Sequence, residues 1–336
     1  MTIKIAINGF GRMGRLALRA AREWNTLDIV HINEIAGDCS TAAHLLKYDS
    51  IHGIWHHEIQ NNDNTLSING KTISYSSNNE IDETPWSKLG VDLVIDCTGK
   101  FKSRKLLQTY LNNGVKKVIV SAPVKDGALN IVMGVNQHKY DPSIHHIVTA
   151  ASCTTNCIAP VVDVVLKKFG IKHGCFTTIH NLTNTQSILD EYHKDLRRSR
   201  ACGQSLIPTT TGSAAAITEI FPELKSRIDG LAVRVPLANA SLTDCVFELE
   251  TETTKEQVND ALEAASTGYL KGILGYEEQA LVSVDYTNDK RSAIIDALST
   301  NVVNKTQLKL FAWYDNEIGY VNRMMELAVL IGKTIR

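Results

Sequence analysis

Several things are scarce in this 336-residue chain, and each scarcity removes a class of protein. No apolar run approaches the ~20 residues that a membrane-spanning helix needs. The opening Met1-Thr2-Ile3-Lys4-Ile5-Ala6-Ile7 reads as a β-strand and lacks the basic n-region and cleavage site of a signal peptide. Charge of one sign is also missing: 35 Lys+Arg stand against 36 Asp+Glu, a net of −1. Phosphate backbones are held by excess cation, so a nucleic-acid partner is not expected. The seven cysteines (Cys39, Cys97, Cys153, Cys157, Cys175, Cys202, Cys245) are odd in number and scattered. That excludes a disulfide framework, which belongs to small secreted domains. Only Cys153 and Cys157 lie close together, with no second pair and no H-E-x-x-H, so no metal site is assigned. What remains is an ordinary globular composition, 43% hydrophobic and 21% charged, with the length of about two domains. A soluble, cytoplasmic protein without membrane or nucleic-acid partners is expected.

The first half alternates short apolar strands (residues 3–8, 28–33, 92–97, 117–121 and 146–150) with helical stretches at 12–24, 41–47 and 103–113. Continuous apolar runs interleaved with helices predict a parallel sheet covered on both faces. Between 54 and 78 the texture turns polar around Asn69-Gly70, which predicts an antiparallel hairpin extension. After 151 a helix should run to Phe169, with Gly170 as its stop and a kink at Pro160. Strands follow at 175–180, 230–236, 241–250 and 307–314, and helices at 212–220, 254–266 and 317–335. Residues 181–211 show no clear period, and a loop that long is more often functional than slack.

Strand 3–8 runs directly into Gly9-Phe10-Gly11-Arg12-Met13-Gly14 and then a helix. This is the dinucleotide fingerprint in its required setting. Gly9 permits the tight turn, Gly11 the approach of a pyrophosphate, and Gly14 close helix–strand packing. The second strand ends at Glu34, about twenty residues on, where a carboxylate accepts from ribose hydroxyls and repels a 2′-phosphate. NAD is therefore favoured; Arg12 nearby leaves NADP open.

Strand 146–150 delivers Ser152-Cys153-Thr154-Thr155 to a helix start. Ser152 is a natural N-cap, and helix amides should lower the Cys153 pKa toward a nucleophilic thiolate. Cys157, one turn inward, reads as a buried apolar residue. The proton acceptor need only be close in space, and His180 at the end of strand 175–180 is the best placed of eleven histidines.

These residues, A-S-C-T-T-N-C and T-T-I-H after N-G-F-G-R-M-G-R, resemble the phosphorylating glyceraldehyde-3-phosphate dehydrogenase family. Lys47-Tyr48-Asp49-Ser50, Ser121-Ala122-Pro123, Met133-Gly134-Val135-Asn136, Pro208-Thr209-Thr210-Thr211-Gly212 and Trp313-Tyr314-Asp315-Asn316-Glu317 match it in order. The resemblance implies an α/β Rossmann doubly wound parallel sheet plus an α+β catalytic domain with a mostly antiparallel sheet. The expected domains are 1–151, joined by the C-terminal helix 315–336, and 152–314. It further implies that Cys153 attacks the aldehyde to give a hemithioacetal, with His180 as base. Oxidation leaves a thioester that inorganic phosphate attacks. Ser152, Thr154, Arg198, Thr211 and Gly212 would hold that phosphate, and Thr183 with Arg234 the substrate's own. Arg12, Met13, Glu34, Thr98, Gly99, Ser121 and Asn316 would contact the cofactor. Residues 181–203 match a loop that lies between subunits, implying a homotetramer.

The chain also departs from the family pattern. Glu34 replaces the usual Asp, Thr185 stands where many members carry Asp, and Asp190-Glu191-Tyr192-His193 lacks the Leu-Pro of many NAD-using members. Ile318 replaces Trp, and residues 125–130 differ as well. The combination is similar to a branch associated with arsenate-resistance permeases, in which arsenate would replace phosphate and yield 1-arseno-3-phosphoglycerate for export. Two other readings are an erythrose-4-phosphate dehydrogenase, which does not keep the T-T-T-G segment, and a catalytically retired NAD-binding regulatory protein.

Overall fold

A computed structural model describes residues 2–124 and 126–335; Lys125, within the divergent segment 125–130, lies outside them. The chain divides into two compact units. One comprises residues 2–131, 137–151 and 321–335, and the other residues 132–136 and 152–320.

The first unit is built on a nine-stranded sheet. Its order is Leu129–Asn130, Ile147–Thr149, Lys117–Val120, Leu93–Asp96, Ile3–Asn8, Leu27–Asn33, Lys71–Ser76, Thr65–Ile68 and Ile59–Asn62. The first seven strands pair in parallel. The last two fold back antiparallel, which is the polar hairpin expected from residues 54–78. Strands Leu93–Asp96 and Lys117–Val120 are buried throughout, as a sheet covered on both faces requires. Trp86, Leu107, Tyr110 and Val118 fill one side of it. The helix Arg12–Ala21 follows the central strand Ile3–Asn8, so its N-terminus sits at the carboxyl edge of the sheet, where Rossmann folds bind dinucleotides.

The second unit carries an eight-stranded, mostly antiparallel sheet. Strand Ile171–His180 lies at its heart, parallel to Ile228–Arg234 and antiparallel to Ser241–Leu249. Ser241–Leu249 alternates buried and half-buried positions along its whole length, the period-2 pattern legible in its sequence. The helix Cys153–Phe169 is continuous through Pro160. Residues Thr154–Val165 are all buried, so packing on every side offsets the amide that proline cannot supply. Thr254 and Gln257 form a reciprocal capping box at the start of the helix Lys255–Thr267. The stretch 181–211 is not loop throughout: Ile207–Thr210 forms an edge strand on Ile228–Arg234. Among the described residues, no helix is long and apolar enough to cross a membrane.

Candidate active site

In the first unit the glycine-rich turn is built by backbone contact. Gly9 holds φ +89°, and a Cβ there would lie 2.6 Å from Thr98 N. A Cβ on Gly14 would lie 2.1 Å from Gly9 O, so no larger residue fits that crossing of turn and helix. Glu34 is held by two amides: its Oε2 accepts from Phe10 N at 2.6 Å and its Oε1 from Ala36 N at 2.8 Å. The carboxylate is thereby locked to the fingerprint turn. Thr98 donates from its amide and hydroxyl to Asp96 Oδ1, and Gly99 follows at φ +64°. A cavity of about 270 Å³ is lined by Gly9, Gly11, Glu34, Thr98, Asn78 and Phe101, among others. Arg12, in the first helical turn, reaches Asp49 Oδ2 at 2.5 Å, and Met13 is half-buried beside it. Ser121 follows strand Lys117–Val120, its amide on Asp96 O at 2.8 Å. The bare turn, the helix N-terminus and the acidic strand end fit a dinucleotide.

In the second unit Ser152 caps the helix Cys153–Phe169, accepting from Thr155 N, and Ala151 precedes it in the left-handed region at φ +56°. That places Cys153 at the first helical position with its Sγ 3.5 Å from His180 Nε2. His180 ends the strand Ile171–His180 and is directly registered with Arg234 on the neighbouring parallel strand. Its Nδ1 lies 2.9 Å from Asn181 O and 2.6 Å from Arg234 Nη1. Burial, reinforced by the Arg234 charge, pushes the His180 pKa down to about 3. The Cys153 thiol differs from the expectation of a lowered pKa. Desolvation raises it, and Arg234 and the local hydrogen bonds only partly oppose that rise.

The anion-binding candidates fall into groups. Ser152 Oγ meets Ser213 Oγ at 3.2 Å, and Thr211 Oγ1 meets the same Ser213 Oγ at 3.1 Å. Gly212 is the N-cap of the helix Ser213–Ile220. Ser213 joins the two halves of this hydroxyl cluster and was not singled out in the sequence. Its place directly after T-T-T-G at a helix start was the available signal. Thr154 turns inward, its hydroxyl 3.0 Å from Tyr314 Oη, which also contacts Thr178. Arg198 donates to Thr209 Oγ1 and lies 3.6 Å from Asp195, and no hydrogen bond joins it to Ser152, Ser213 or Thr211 among the described residues. Thr183 engages Gln186 and Thr185, and no hydrogen bond joins it to Arg234 among the described residues. Asn316 is buried with its side-chain oxygen lacking a hydrogen-bond partner, on a turn whose amides are held by Asp315.

A chain that holds both a Rossmann unit with an intact fingerprint and a unit with a cysteine–histidine pair defines an NAD-dependent oxidoreductase. Residues 3–104 match the profile of the glyceraldehyde 3-phosphate dehydrogenase NAD-binding domain, and residues 152–316 that of its C-terminal domain. The chain is 59% identical to glyceraldehyde-3-phosphate dehydrogenase 3 of Nostoc sp., with both chains covered in full. It is 50% identical to the glyceraldehyde-3-phosphate dehydrogenase of Geobacillus stearothermophilus over 98% of each chain, and 49% identical to glyceraldehyde-3-phosphate dehydrogenase 1 of Bacillus subtilis over 99% of each. The chain belongs to the glyceraldehyde-3-phosphate dehydrogenase family.

Proposed function

We propose that the chain oxidises glyceraldehyde 3-phosphate and conserves the energy as an acyl phosphate, and that it works in the cytoplasm. The 3.5 Å approach of Cys153 Sγ to His180 Nε2 at a capped helix start is the observation that carries this reading. Cys153 attacks the aldehyde carbon as His180 takes the thiol proton, forming a hemithioacetal. Bound NAD supplies the hydride acceptor, and the carbon on Cys153 is left as a thioester. The Cys153 amide and the His180 ring are donors for the tetrahedral oxygen. Inorganic phosphate then displaces Cys153. The hydroxyls of Ser152, Ser213 and Thr211 and the amides at the start of the helix Ser213–Ile220 suit that anion, with Thr154 and Gly212 close to them in sequence and Arg198 as the cation. Arg234 and Thr183 suit the substrate's own phosphate. Gly9, Gly11, Gly14, Arg12, Met13, Glu34, Thr98, Gly99, Ser121 and Asn316 suit the cofactor.

The acceptor oxyanion is phosphate or its near-isostere arsenate, since hydroxyls and amides bind both alike. Steady-state rates with each anion, using NAD and then NADP, test this; failure of both anions would remove the acyl-transfer step. A homotetramer is supported by the apolar surface of residues 188–196, where Ile188, Leu189, Tyr192 and Leu196 are each at least 75% exposed in the single chain. Sedimentation at four times 37.0 kDa would agree with it, and a monomer would not. For the mechanism itself, Cys153→Ser should abolish NAD reduction while leaving NAD binding intact. Persisting turnover in that variant would overturn it.

A further inference from the structure

We propose that Asp315 is a positioning residue for the cofactor. Its buried carboxylate fixes the turn that carries Asn316 and keeps the Asn316 side-chain oxygen open to an N–H donor, the carboxamide of the nicotinamide ring. This rests on the reading of Asn316 as a cofactor residue. Asp315 is 1% exposed, and four N–H groups converge on its carboxylate. Oδ1 accepts from the amides of Glu317 and Ile318, both at 2.8 Å, and from Asn239 Nδ2 at 3.2 Å. Oδ2 accepts from the amide of Asn288 at 2.8 Å. The Asp315 carbonyl takes the amide of Gly319 at 3.2 Å. Asp315 therefore caps the helix Ile318–Gly332. It also ties the helix start to two other segments, the residues before strand Ala293–Asp296 and those leading into strand Ser241–Leu249.

A helix cap needs only one side-chain oxygen, as Thr254 shows at the start of Lys255–Thr267. The carboxylate adds a second oxygen, and that one goes to Asn288 rather than to the helix. All four donors are neutral N–H groups, whose directional bonds fix a geometry more than they balance a charge. Asn316 lies between the cap and the amides that the cap binds, so its place is set on both sides. It is 6% exposed, yet its Oδ1 has no hydrogen-bond partner among the described residues. Asn239 repeats the pattern. A carboxylate only accepts, so Asn239 must turn Nδ2 toward Asp315 and Oδ1 away, and that oxygen too is buried without a partner. Buried acceptors are almost always satisfied, so two orphan oxygens tied to one carboxylate mark a place where a ligand brings the donors. The nicotinamide carboxamide carries two N–H groups. The adenine amino group is the cofactor's other N–H donor of this kind, and the experiment separates the two.

The test is calorimetric binding of two ligands to the full chain. One is NAD; the other is its analogue with an acetyl group in place of the ring carboxamide, so that a methyl stands where the NH2 was. The wild type should bind NAD roughly 2–10-fold more tightly than the analogue, the worth of one hydrogen bond. Asp315→Asn keeps an oxygen for the amides of Glu317 and Ile318 but turns an NH2 on the amide of Asn288. It should lose the preference through weaker NAD binding alone, with the analogue bound as in the wild type. Equal weakening of both ligands would mean that Asp315 serves only the helix, and an unchanged preference would mean that it does not act through Asn316. Either result overturns the proposal. If Asp315→Asn does not fold, Asp315→Ser carries the same test, because serine keeps the cap and cannot reach Asn288 or Asn239 as well. Asn316→Ala isolates the underlying reading. A wild-type preference in that variant, or none in the wild type, would take Asn316 off the carboxamide. Preference lost in Asn316→Ala but kept in Asp315→Asn would remove Asp315 alone.

Discussion

His31 and His180 are both buried in strands, one in each unit, and burial lowers the pKa of both, to about 4 and about 3. Their surroundings differ in kind. His31 places Nδ1 on Ser74 Oγ at 2.8 Å and Nε2 on Ser76 Oγ at 3.0 Å. Ser76 donates its hydrogen to Asn33 Oδ1, so in the neutral ring Nε2 carries the proton and gives it to Ser76, and Nδ1 accepts from Ser74. From Ser76 the bonding continues through Asn33 and Asn8 to Tyr110 and Asp96, each member partnered. His180 instead meets an obligate donor, an obligate acceptor and a thiol. A buried histidine with a lowered pKa is therefore not in itself a catalytic sign. What sets His180 apart is the thiol 3.5 Å from its Nε2, a reacting partner that His31 lacks.

The strongest way to break this comparison is to replace each ring in turn. His180→Asn should slow acylation by roughly 10²–10⁴-fold, the usual worth of a general base. His31→Gln should leave turnover unchanged. Stopped-flow measurement of NADH formation reads both, and a kinetic loss at His31 equal to that at His180 would erase the distinction.

His31 should matter to stability in its place. Its folded pKa of about 4 lies below the ordinary ~6.5, so the unfolded chain binds the proton first as pH falls. The stability gained by keeping this ring neutral is fully present above ~6.5. It is lost as pH falls through the folded value. Between pH 7 and pH 5 the wild type should lose roughly 2 kcal/mol through His31 that His31→Gln does not lose. Urea unfolding of both proteins at the two pH values measures the difference. Parallel pH dependence would show that the two serines hold the charged ring as well as the neutral one.

The first unit was largely legible in the sequence because its devices are local. A strand, three glycines and an acid about twenty residues on fall within one β-α-β segment, and the Glu34 clamp on Phe10 joins residues that the motif already relates. Cys153 was legible for the same reason, as a strand end, a cap and a helix start in succession. Arg234 on His180 was not, because it depends on parallel pairing of strands 54 positions apart. Nor was the strand Ile207–Thr210: Pro208 argues against a strand, and it is tolerated there because the strand lies at the sheet edge. The thiol pKa was misread because helix amides were weighed without burial, and burial is a property of the folded surroundings.

The smallest expected effect lies at Ser213, and it tests whether hydroxyls adapt to the loss of a partner. Ser213 joins Ser152 and Thr211 much as Ser76 joins His31 to Asn33. If hydroxyls are adaptable partners, removing one should be partly absorbed by its neighbours. Ser152 keeps Thr155 at 2.8 Å, and Thr211 still accepts from the amide of residue 213. Ser213→Ala should then cost about one hydrogen bond, 0.5–1.5 kcal/mol, and raise the KM for inorganic phosphate by roughly 2–10-fold. The NAD KM should not change, because Ser152, Ser213 and Thr211 are not among the residues assigned to the cofactor. A loss approaching that of His180→Asn would mean that the Ser213 hydroxyl has a fixed direction that the reaction requires. The line between adaptable and obligate partners would then run through the phosphate cluster as well as around the two histidines.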